Sequence, residues 1–442
     1  MSAMPDASNT KLSHRDHDHG SKAHSSVAPG EIAVGVVVGR TAEYFDFFVY
    51  GIASALVFPA VFFPFAEPLQ GTLYAFAVFA LAFLSRPIGT VLFMWIQSRW
   101  GLAAKLTAAL FLLGTATAGI AFVPGYNTLG WISILLLASF RLVQGIALGG
   151  SWDGLPSLLA LNAPKQRRGW YSMLGQLGAP AGFIVAAGVF AFLYYNLPEE
   201  DLLAWGWRYP FFVAFALNVV ALFARLRLVV ADEYQHEMGT QELQPTPVLE
   251  LFRERGRHVV IGAFAALASY ALFHIVTIFP LSWIKVFTDE SIAGFLVLQI
   301  IGAFLAAGGI VASGLIADRV GRARTLGGLA VAIAMYSGFA PTLLGAGDVG
   351  EVIFILLGFL LLGLSYGQAA GAVTANFGAR YRYTGAALTS DLAWLIGAAF
   401  APLVALGLTA KLGLPYIGLY LLSGAVCTLA ALGVNRWLRL QS

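Results

Sequence analysis

Apolar runs recur along the chain from Ile32 to Leu438, and each has the length of about 20 residues that a helix needs to cross a hydrocarbon core roughly 30 Å thick. Of the 442 residues, 59% are apolar and 11% are charged. A soluble protein of this composition would have too few polar residues to cover its surface. Only helices and closed barrels satisfy every backbone hydrogen bond in lipid, so we predict an all-α membrane protein.

The apolar pattern predicts twelve transmembrane helices. The expected spans are 32–62, 71–97, 104–123, 131–161, 168–196, 205–229, 257–286, 291–317, 323–344, 350–377, 382–410 and 412–438. An even number of spans places both termini on one side, and twenty Lys and Arg residues fall on that side against three on the other. Because cytoplasmic loops are enriched in positive charge, we predict cytoplasmic termini in the inner (plasma) membrane. The net charge of +3 then reflects topology and does not indicate nucleic-acid binding.

The sequence divides into two halves that echo one another. We expect a disordered cytoplasmic tail at 1–30, a six-helix bundle at 31–229, a cytoplasmic linker at 230–256 and a second six-helix bundle at 257–442. Ser98-Arg99-Trp100-Gly101 after span two corresponds to Asp318-Arg319-Val320-Gly321 after span eight. Secondary transporters are often built from such duplicated halves, with the substrate site between them near the midplane.

Two features of composition limit the cofactors. Cys427 is the only cysteine, which excludes an intrachain disulfide and a cysteine-rich metal site. His14, His17, His19 and His24 lie in the polar tail, where a solvated segment is a better interpretation than a metal site. We therefore predict no metal and no cofactor.

Several motifs resemble those of the major facilitator superfamily. The run from Gly314 to Arg324 resembles its cytoplasmic loop signature, and Arg141-Leu142-Val143-Gln144-Gly145 with Gly149 resembles its arginine-glutamine-glycine motif. Span one resembles the metabolite:proton symporter family within it, from Glu43 to Gly51 and at Phe62-Phe63-Pro64, and further matching runs begin at Arg86, Gly175, Trp205 and Arg382. The resemblance implies a twelve-helix fold of two six-helix pseudo-repeats and proton-coupled transport, with organic acids among the substrates.

The chain also departs from the family pattern. In the first-half loop, positions that usually hold a glycine, an aspartate and basic residues are Met94, Ser98, Leu102 and Ala103. After span four, Ser151 and Asp153 replace a glutamate and a glycine, and in span eleven Asp391 replaces a neutral amide.

Span one carries the strongest candidates for chemistry. An ionised side chain at the bilayer centre costs roughly 2.5 to 3.5 kcal/mol, so an acid kept there needs a reason. Arg40, Glu43, Asp46 and Tyr50 are spaced by three to four residues, which predicts one helical stripe facing one cavity. We expect Glu43 or Asp46 to carry a proton, and Arg40 and Tyr50 to contact substrate. The alternative is structural, with Arg40 paired to Glu43 and Asp46 bonded to a neighbouring helix.

Other polar residues in the spans are weaker candidates. The resemblance implies that Arg141 modulates a nearby acid, and the alternative is a fixed bond to backbone carbonyls. Asp153 and Asp391 are further candidates for proton coupling, unless they lie at helix ends in water. Candidate substrate contacts, which could instead be ordinary helix-packing residues, are Gln144, Trp152, Gln176, Tyr270, His274 and Trp394. By resemblance, a gate that controls conformation consists of Asp318, Arg319, Gly321 and Arg322.

These observations favour a transporter over an enzyme. The sequence has no phosphate loop with lysine, zinc-ligand spacing, nucleophile elbow or dinucleotide fingerprint. We predict a monomeric symporter of protons and a small organic acid. The alternatives are a transporter of a zwitterionic osmolyte such as betaine or proline, and a non-transporting sensor derived from a transporter, which the altered first-half loop would suit.

Overall fold

The computed structural model describes residues 29–151, 163–229, 244–374 and 377–441. Within these ranges the chain is helical and contains no β-strand. The twelve long helices are α1 Pro29–Leu56, α2 68–100, α3 102–122, α4 Trp131–Gly150, α5 Arg168–Asn196, α6 Tyr209–Val229, α7 Val248–Phe287, α8 Ile292–Val320, α9 Arg322–Leu344, α10 Asp348–Thr374, α11 Arg382–Leu412 and α12 Pro415–Gln441. Short helices in the connections are Phe58–Phe62, Tyr126–Leu129, Lys165–Arg167, Glu199–Ala204, Gly206–Arg208 and Ala379–Tyr381.

The predicted number of spans is confirmed, and three of the predicted boundaries are off by more than five residues. Span four ends at Gly150 instead of 161, and residues 152–161 lie outside the described ranges. Span one ends at Leu56 instead of 62, because Pro59 starts a separate short helix at one of its first two positions. Helix α7 begins at Val248, inside the predicted linker 230–256. Its first turns carry Glu250 and Arg253, which a helix can project into water while the backbone continues.

The two glycines of the echoed loop motifs have the same structural role. Gly101 and Gly321 have φ angles of 84° and 94°, in the left-handed region that glycine enters without a side-chain penalty. Gly101 breaks the helical stretch Pro68–Phe122 into α2 and α3, and Gly321 separates α8 from α9. The turn between the second and third helix is therefore made in the same way in both halves.

Small residues four apart bring corresponding helices together in each half. A Cβ atom on Gly145 or Gly149 would collide with the backbone of α2. In the second half, a Cβ on Gly363 would collide with the backbone of α8, and one on Gly367 would collide with the Ser313 side chain. Helices α4 and α10 thus pack on α2 and α8 through the same small-residue pattern, which supports close helix contact in lipid.

Because the helices alternate in direction, Pro29, the α2–α3 turn, the α8–α9 turn and Gln441 share one face, which we call the terminal face. The opposite face is called the distal face. The halves meet where α5 packs on α8 and α10, where α2 packs on α11 and where α1 packs on α7. Side chains at these three contacts enclose the central region of the protein.

Candidate functional site

A polar cavity of about 380 Å³ lies between the two halves. Of the described residues that line it, four come from helix α1 and one, Trp394, comes from the second half. The lining residues are Arg40, Glu43, Tyr44, Phe47, Arg86, Leu148, Ser151 and Trp394. This combination of guanidinium groups, a carboxylate and aromatic faces is typical of a site for a small charged molecule.

Glu43 is held between two arginines at this cavity. Its Oε2 atom lies 2.8 Å from Arg40 Nη1, and its Oε1 atom lies 2.7 Å from Arg225 Nη2. Arg225 also donates from Nη1 to the carbonyl oxygen of Ser151, at 3.1 Å. The predicted pair of Arg40 and Glu43 is present, and Arg225 of α6 completes it. Two cations around one buried carboxylate offset part of its desolvation cost.

A second ion pair, between a carboxylate and a guanidinium group, joins the two halves. The Asp391 Oδ1 atom of α11 forms an ion pair with Arg86 of α2, whose Nε atom lies 2.7 Å away. Thr90 donates to Oδ2 of the same carboxylate at 2.5 Å. Asp391 is only 3% exposed, so it does not lie at a helix end in water. Arg86 thereby reaches both the polar cavity and the opposite half.

Three guanidinium groups lie at or beside the polar cavity in the described part of the chain. Those of Arg40 and Arg225 are paired with Glu43, and that of Arg86 is paired with Asp391. Guanidinium groups in a low-dielectric cavity attract anions.

Asp46 and Tyr50 do not reach the polar cavity, so the prediction of one shared stripe is wrong for them. Six residues of helix place Asp46 about 120° around the axis from Arg40 and roughly 9 Å along it. Tyr50 lies roughly 15 Å along the axis from Arg40. Residues spaced by three or four lie close to one another on the helix surface. Over ten residues, however, the direction of such a row rotates around the helix axis.

Asp46 instead belongs to a buried hydrogen-bonded network. Thr117 donates to Asp46 Oδ1 at 2.5 Å, and Gln144 Nε2 donates to the Thr117 hydroxyl at 2.8 Å. Arg141 Nη1 donates to Gln144 Oε1 at 3.1 Å. Helices α1, α3 and α4 are joined in this way, and Arg141 is linked to Asp46 through two intervening side chains.

Arg141 bonds to a backbone carbonyl and is also connected to a buried acid, Asp46, so both interpretations from sequence have structural support. Its Nε atom donates to the carbonyl oxygen of Phe79 at 3.1 Å, which is the backbone bond of the structural interpretation. Its guanidinium also lies over the Tyr50 ring, 3.9 Å from the centroid. The Nη2 atom and the Tyr50 hydroxyl have no hydrogen-bond partner in the described part of the chain. Arg141 does not line the polar cavity, so direct contact with a substrate there is not supported.

Aromatic side chains form the wall between the cavity and the second half. Trp394 packs edge-on against Tyr270, with ring centroids 4.8 Å apart. His274 stacks on Phe47 at 5.4 Å, and neither of its ring nitrogens has a hydrogen-bond partner among the described residues. Of the predicted substrate contacts, Arg40 and Trp394 line the polar cavity.

The other predicted contacts are placed elsewhere. Those that do not line the polar cavity are Tyr50, Gln144, Gln176, Tyr270 and His274. They face other side chains, because close helix packing leaves most of each helix surface in contact with a neighbour. Their role in binding stays a prediction. Trp152 and Asp153 lie outside the described residues.

Two of the predicted gate residues, Asp318 and Arg322, contact the opposite half at the terminal face. Asp318 accepts from the backbone nitrogens of Gly169 at 2.7 Å and Trp170 at 3.2 Å, so it caps the start of α5. Arg322 donates to the Ser172 hydroxyl at 2.9 Å and to the carbonyl oxygen of Gly371 at 2.6 Å. These bonds hold α5 against α8, α9 and α10. Arg319 is exposed.

Next to the altered first-half loop, Lys105 makes a contact with the second half. Lys105 Nζ donates to Gln97 Oε1 at 3.1 Å and to the Tyr383 hydroxyl of α11 at 2.9 Å. Tyr383 in turn donates to Gln97 at 2.8 Å. Together with Arg86 and Asp391, these bonds hold α2 and α3 against α11, although no aspartate occupies position 98.

Sequence reasoning missed several of these residues. The charge pattern places Lys105 and Arg225 in cytoplasmic segments, but they are 1% and 3% exposed. Arg86 enters the sequence analysis only as the start of a run that matches the family. The signal that identifies all three is the cost of a charge within or beside an apolar stretch.

We predict that the Glu43 cluster stabilises the fold and that an exposed pair does not. Glu43→Gln removes the carboxylate that lies between Arg40 and Arg225, and we expect a loss of about 3 kcal/mol in the free energy of unfolding. Thermal unfolding in detergent measures the effect. Glu199→Gln is the matched control, since its pair with Lys285 at 2.6 Å is exposed and should contribute less than about 1 kcal/mol. Equal shifts for the two variants would contradict the assignment.

Comparison with known proteins gives the family. Residues 44–402 match the family model described as Major Facilitator Superfamily. The chain is 35% identical to the inner membrane metabolite transport protein YhjE of Escherichia coli over 93% of this chain and 95% of that protein. It is 32% identical to the shikimate transporter of E. coli (90% and 92%) and 28% identical to the E. coli proline/betaine transporter (81% and 74%).

A solved structure shows the same fold. The proton:xylose symporter XylE, bound to 6-bromo-6-deoxy-D-glucose, superposes with a TM-score of 0.69 at 18% identity, covering 91% of this chain and 94% of that one. The twelve helices, the duplicated halves and these matches identify a multi-pass membrane transporter of metabolites rather than an enzyme. The chain belongs to the major facilitator superfamily.

Proposed function

We propose that the chain is a proton-coupled symporter of a small organic anion, with both termini in the cytoplasm of a bacterial inner membrane. The observation that carries this proposal is the polar cavity between the halves, where Arg40 and Arg86 are each paired with a carboxylate. Guanidinium groups suit an organic anion, and buried carboxylates suit proton uptake.

Substrate binding and proton uptake are linked through these pairs. A substrate carboxylate can form two parallel hydrogen bonds with a guanidinium group and so competes with the carboxylate already bound to it. Once Arg40 or Arg86 turns to the substrate, Glu43 or Asp391 is left buried with fewer partners. Protonation removes the uncompensated charge, so each anion enters together with a proton.

Asp46 is a second candidate proton carrier. It is buried away from the polar cavity, and its network through Thr117 and Gln144 ends on Arg141. A rearrangement of Arg141 would alter the network around Asp46 when the halves move. Asp153, beyond the described residues, stays a prediction from sequence.

Alternating access follows from the contacts between the halves. At the terminal face, the Asp318 and Arg322 bonds and the Lys105 and Tyr383 bond must break for the cavity to open. At the distal face, Lys285 and Glu199 must separate. Because one proton moving with one monovalent anion carries no net charge, the pH difference drives accumulation and supplies about 1.4 kcal/mol for each pH unit.

A zwitterionic osmolyte is the second candidate substrate. Tyr44, Phe47 and Trp394 line the polar cavity beside Glu43, and aromatic faces near a carboxylate suit a quaternary ammonium group. The relatives named as proline/betaine transporters support this candidate.

We predict gradient-driven accumulation of organic acids in proteoliposomes. With an imposed inward proton gradient, a panel of labelled acids and betaines should reveal at least one acid that accumulates. Arg40→Met and Arg86→Met should each raise its KM by about tenfold or more, because a charge-assisted bond contributes roughly 1.5 to 3 kcal/mol. Arg99→Met is the matched control, since Arg99 is exposed and outside the cavity.

The coupling residues are tested in the same vesicles. Glu43→Gln and Asp46→Asn should abolish accumulation against a gradient while substrate counterflow persists, which also shows that the variants fold. Unchanged accumulation in both variants would contradict their role. Preference for betaines would favour the second candidate, and ligand binding without counterflow would indicate a sensor.

We also predict that Lys105 closes the terminal face in place of the missing aspartate. In a Cys427→Ser background with Leu148→Cys as a reporter in the polar cavity, Lys105→Met should speed alkylation by a hydrophilic maleimide from the terminal face. Asp318→Asn should have the same effect through α5 and α8. Arg99→Met serves again as the control. No acceleration by Lys105→Met would show that its bond to Tyr383 does not hold the halves together.

A further inference from the structure

A second cavity, which we call the apolar chamber, lies between the halves, with an empty volume of about 300 Å³ that includes space open to its surroundings. Its lining combines α1 and α5 of the first half with α7, α8 and α10 of the second. The lining residues are Phe48, Ala179, Pro180, Phe183, Phe273, Thr277, Ala306, Ile310, Phe359, Leu362, Gly363 and Tyr366. Because both halves form it, the chamber must change shape when they move.

Among the described residues that line it, the apolar chamber has no free hydrogen-bonding side chain. The Thr277 hydroxyl donates to the carbonyl oxygen of Phe273 at 2.7 Å. The hydroxyl of Tyr366 is bonded to that of Tyr44. Every other lining side chain is apolar or absent. Such a space is unfavourable for water and favourable for a hydrocarbon group.

A thin aromatic partition separates the apolar chamber from the polar cavity. Tyr44 lines the polar cavity, Tyr366 lines the apolar chamber, and their hydroxyl groups are bonded to each other. Beside them, Phe48 and Phe273 are stacked 5.5 Å apart. One hydrogen bond between hydroxyl groups therefore lies on the direct route from one cavity to the other.

We propose that the apolar chamber holds the hydrocarbon body of the transported anion while Arg40 and Arg86 hold its carboxylate. The substrates would be monocarboxylates with an apolar ring or branched chain, and Tyr44 and Tyr366 would separate when such an anion binds. This inference rests on the proposed function for the carboxylate end. The two cavities together match the usual design of a ligand site, in which apolar walls supply contact and a few polar groups fix orientation.

Titration calorimetry on the purified full chain tests the proposal with two probes, acetate and cyclohexanecarboxylate. The affinity of the weaker probe is measured by its competition with the stronger one. Ala179→Leu fills the chamber, and it should weaken cyclohexanecarboxylate binding by about tenfold or more, while acetate binding changes less than about twofold. Ile310→Ala enlarges the chamber and should shift the preference towards the larger anion.

A matched control and a second variant keep the result interpretable. Ile301→Ala removes the same atoms from the same helix, but Ile301 is 51% exposed on the outer surface and should leave both affinities unchanged. Tyr366→Phe removes the hydroxyl bond of the partition without filling space. It should strengthen cyclohexanecarboxylate binding severalfold with no effect on acetate, and it tests the chamber even if Ala179→Leu fails to fold.

The outcomes separate this proposal from the proposed function. If both probes bind and no chamber variant changes their ratio, the chamber does not hold substrate, and the anion site stands. If cyclohexanemethanol, which lacks the charge, binds as tightly as cyclohexanecarboxylate and responds to Ala179→Leu, the chamber is a ligand site and the organic-anion function is overturned.

Discussion

The central architecture depends on buried pairing between carboxylates and guanidinium groups. Glu43 between Arg40 and Arg225 joins α1 to α6, and Asp391 with Arg86 joins the two halves. Charges in lipid are tolerated when each has a partner. A pair that is stable only when complete is also one that a substrate anion or a proton can disturb, so the same interactions suit both packing and coupling.

The two halves use the same backbone design with different side chains. Glycine turns at Gly101 and Gly321 repeat the geometry between the second and third helices. In the second half a carboxylate, Asp318, caps the opposing helix α5. In the first half that position is Ser98, and Lys105 bonds to the side chain of Tyr383 instead. A departure from the family loop pattern therefore leaves the closure of the terminal face intact in this structure.

Features that depend on a single helix can be predicted from the sequence, whereas contacts between helices cannot. Span number follows from the thickness of the bilayer, and the repeat follows from a glycine-containing loop motif. The pairing of Arg40 with Glu43 is local and was anticipated. Arg225 is too distant in sequence from Glu43, and Lys105 from Tyr383, for spacing to reveal these contacts. Asp46 contacts Thr117 of α3 because a row of residues spaced by three and four rotates around the helix axis. The neighbouring helix that such a side chain contacts is decided by packing.

The central claim is that an anion displaces a carboxylate from its arginine and that this carboxylate then takes up a proton. It is tested most directly by measuring the protons exchanged on binding, with calorimetry of a transported organic anion in two buffers of different ionisation enthalpy. We predict net proton uptake in the native chain and little or none in the double variant Glu43→Gln with Asp391→Asn, which lacks both displaced carboxylates. Anion binding without proton uptake in the native chain would contradict the claim.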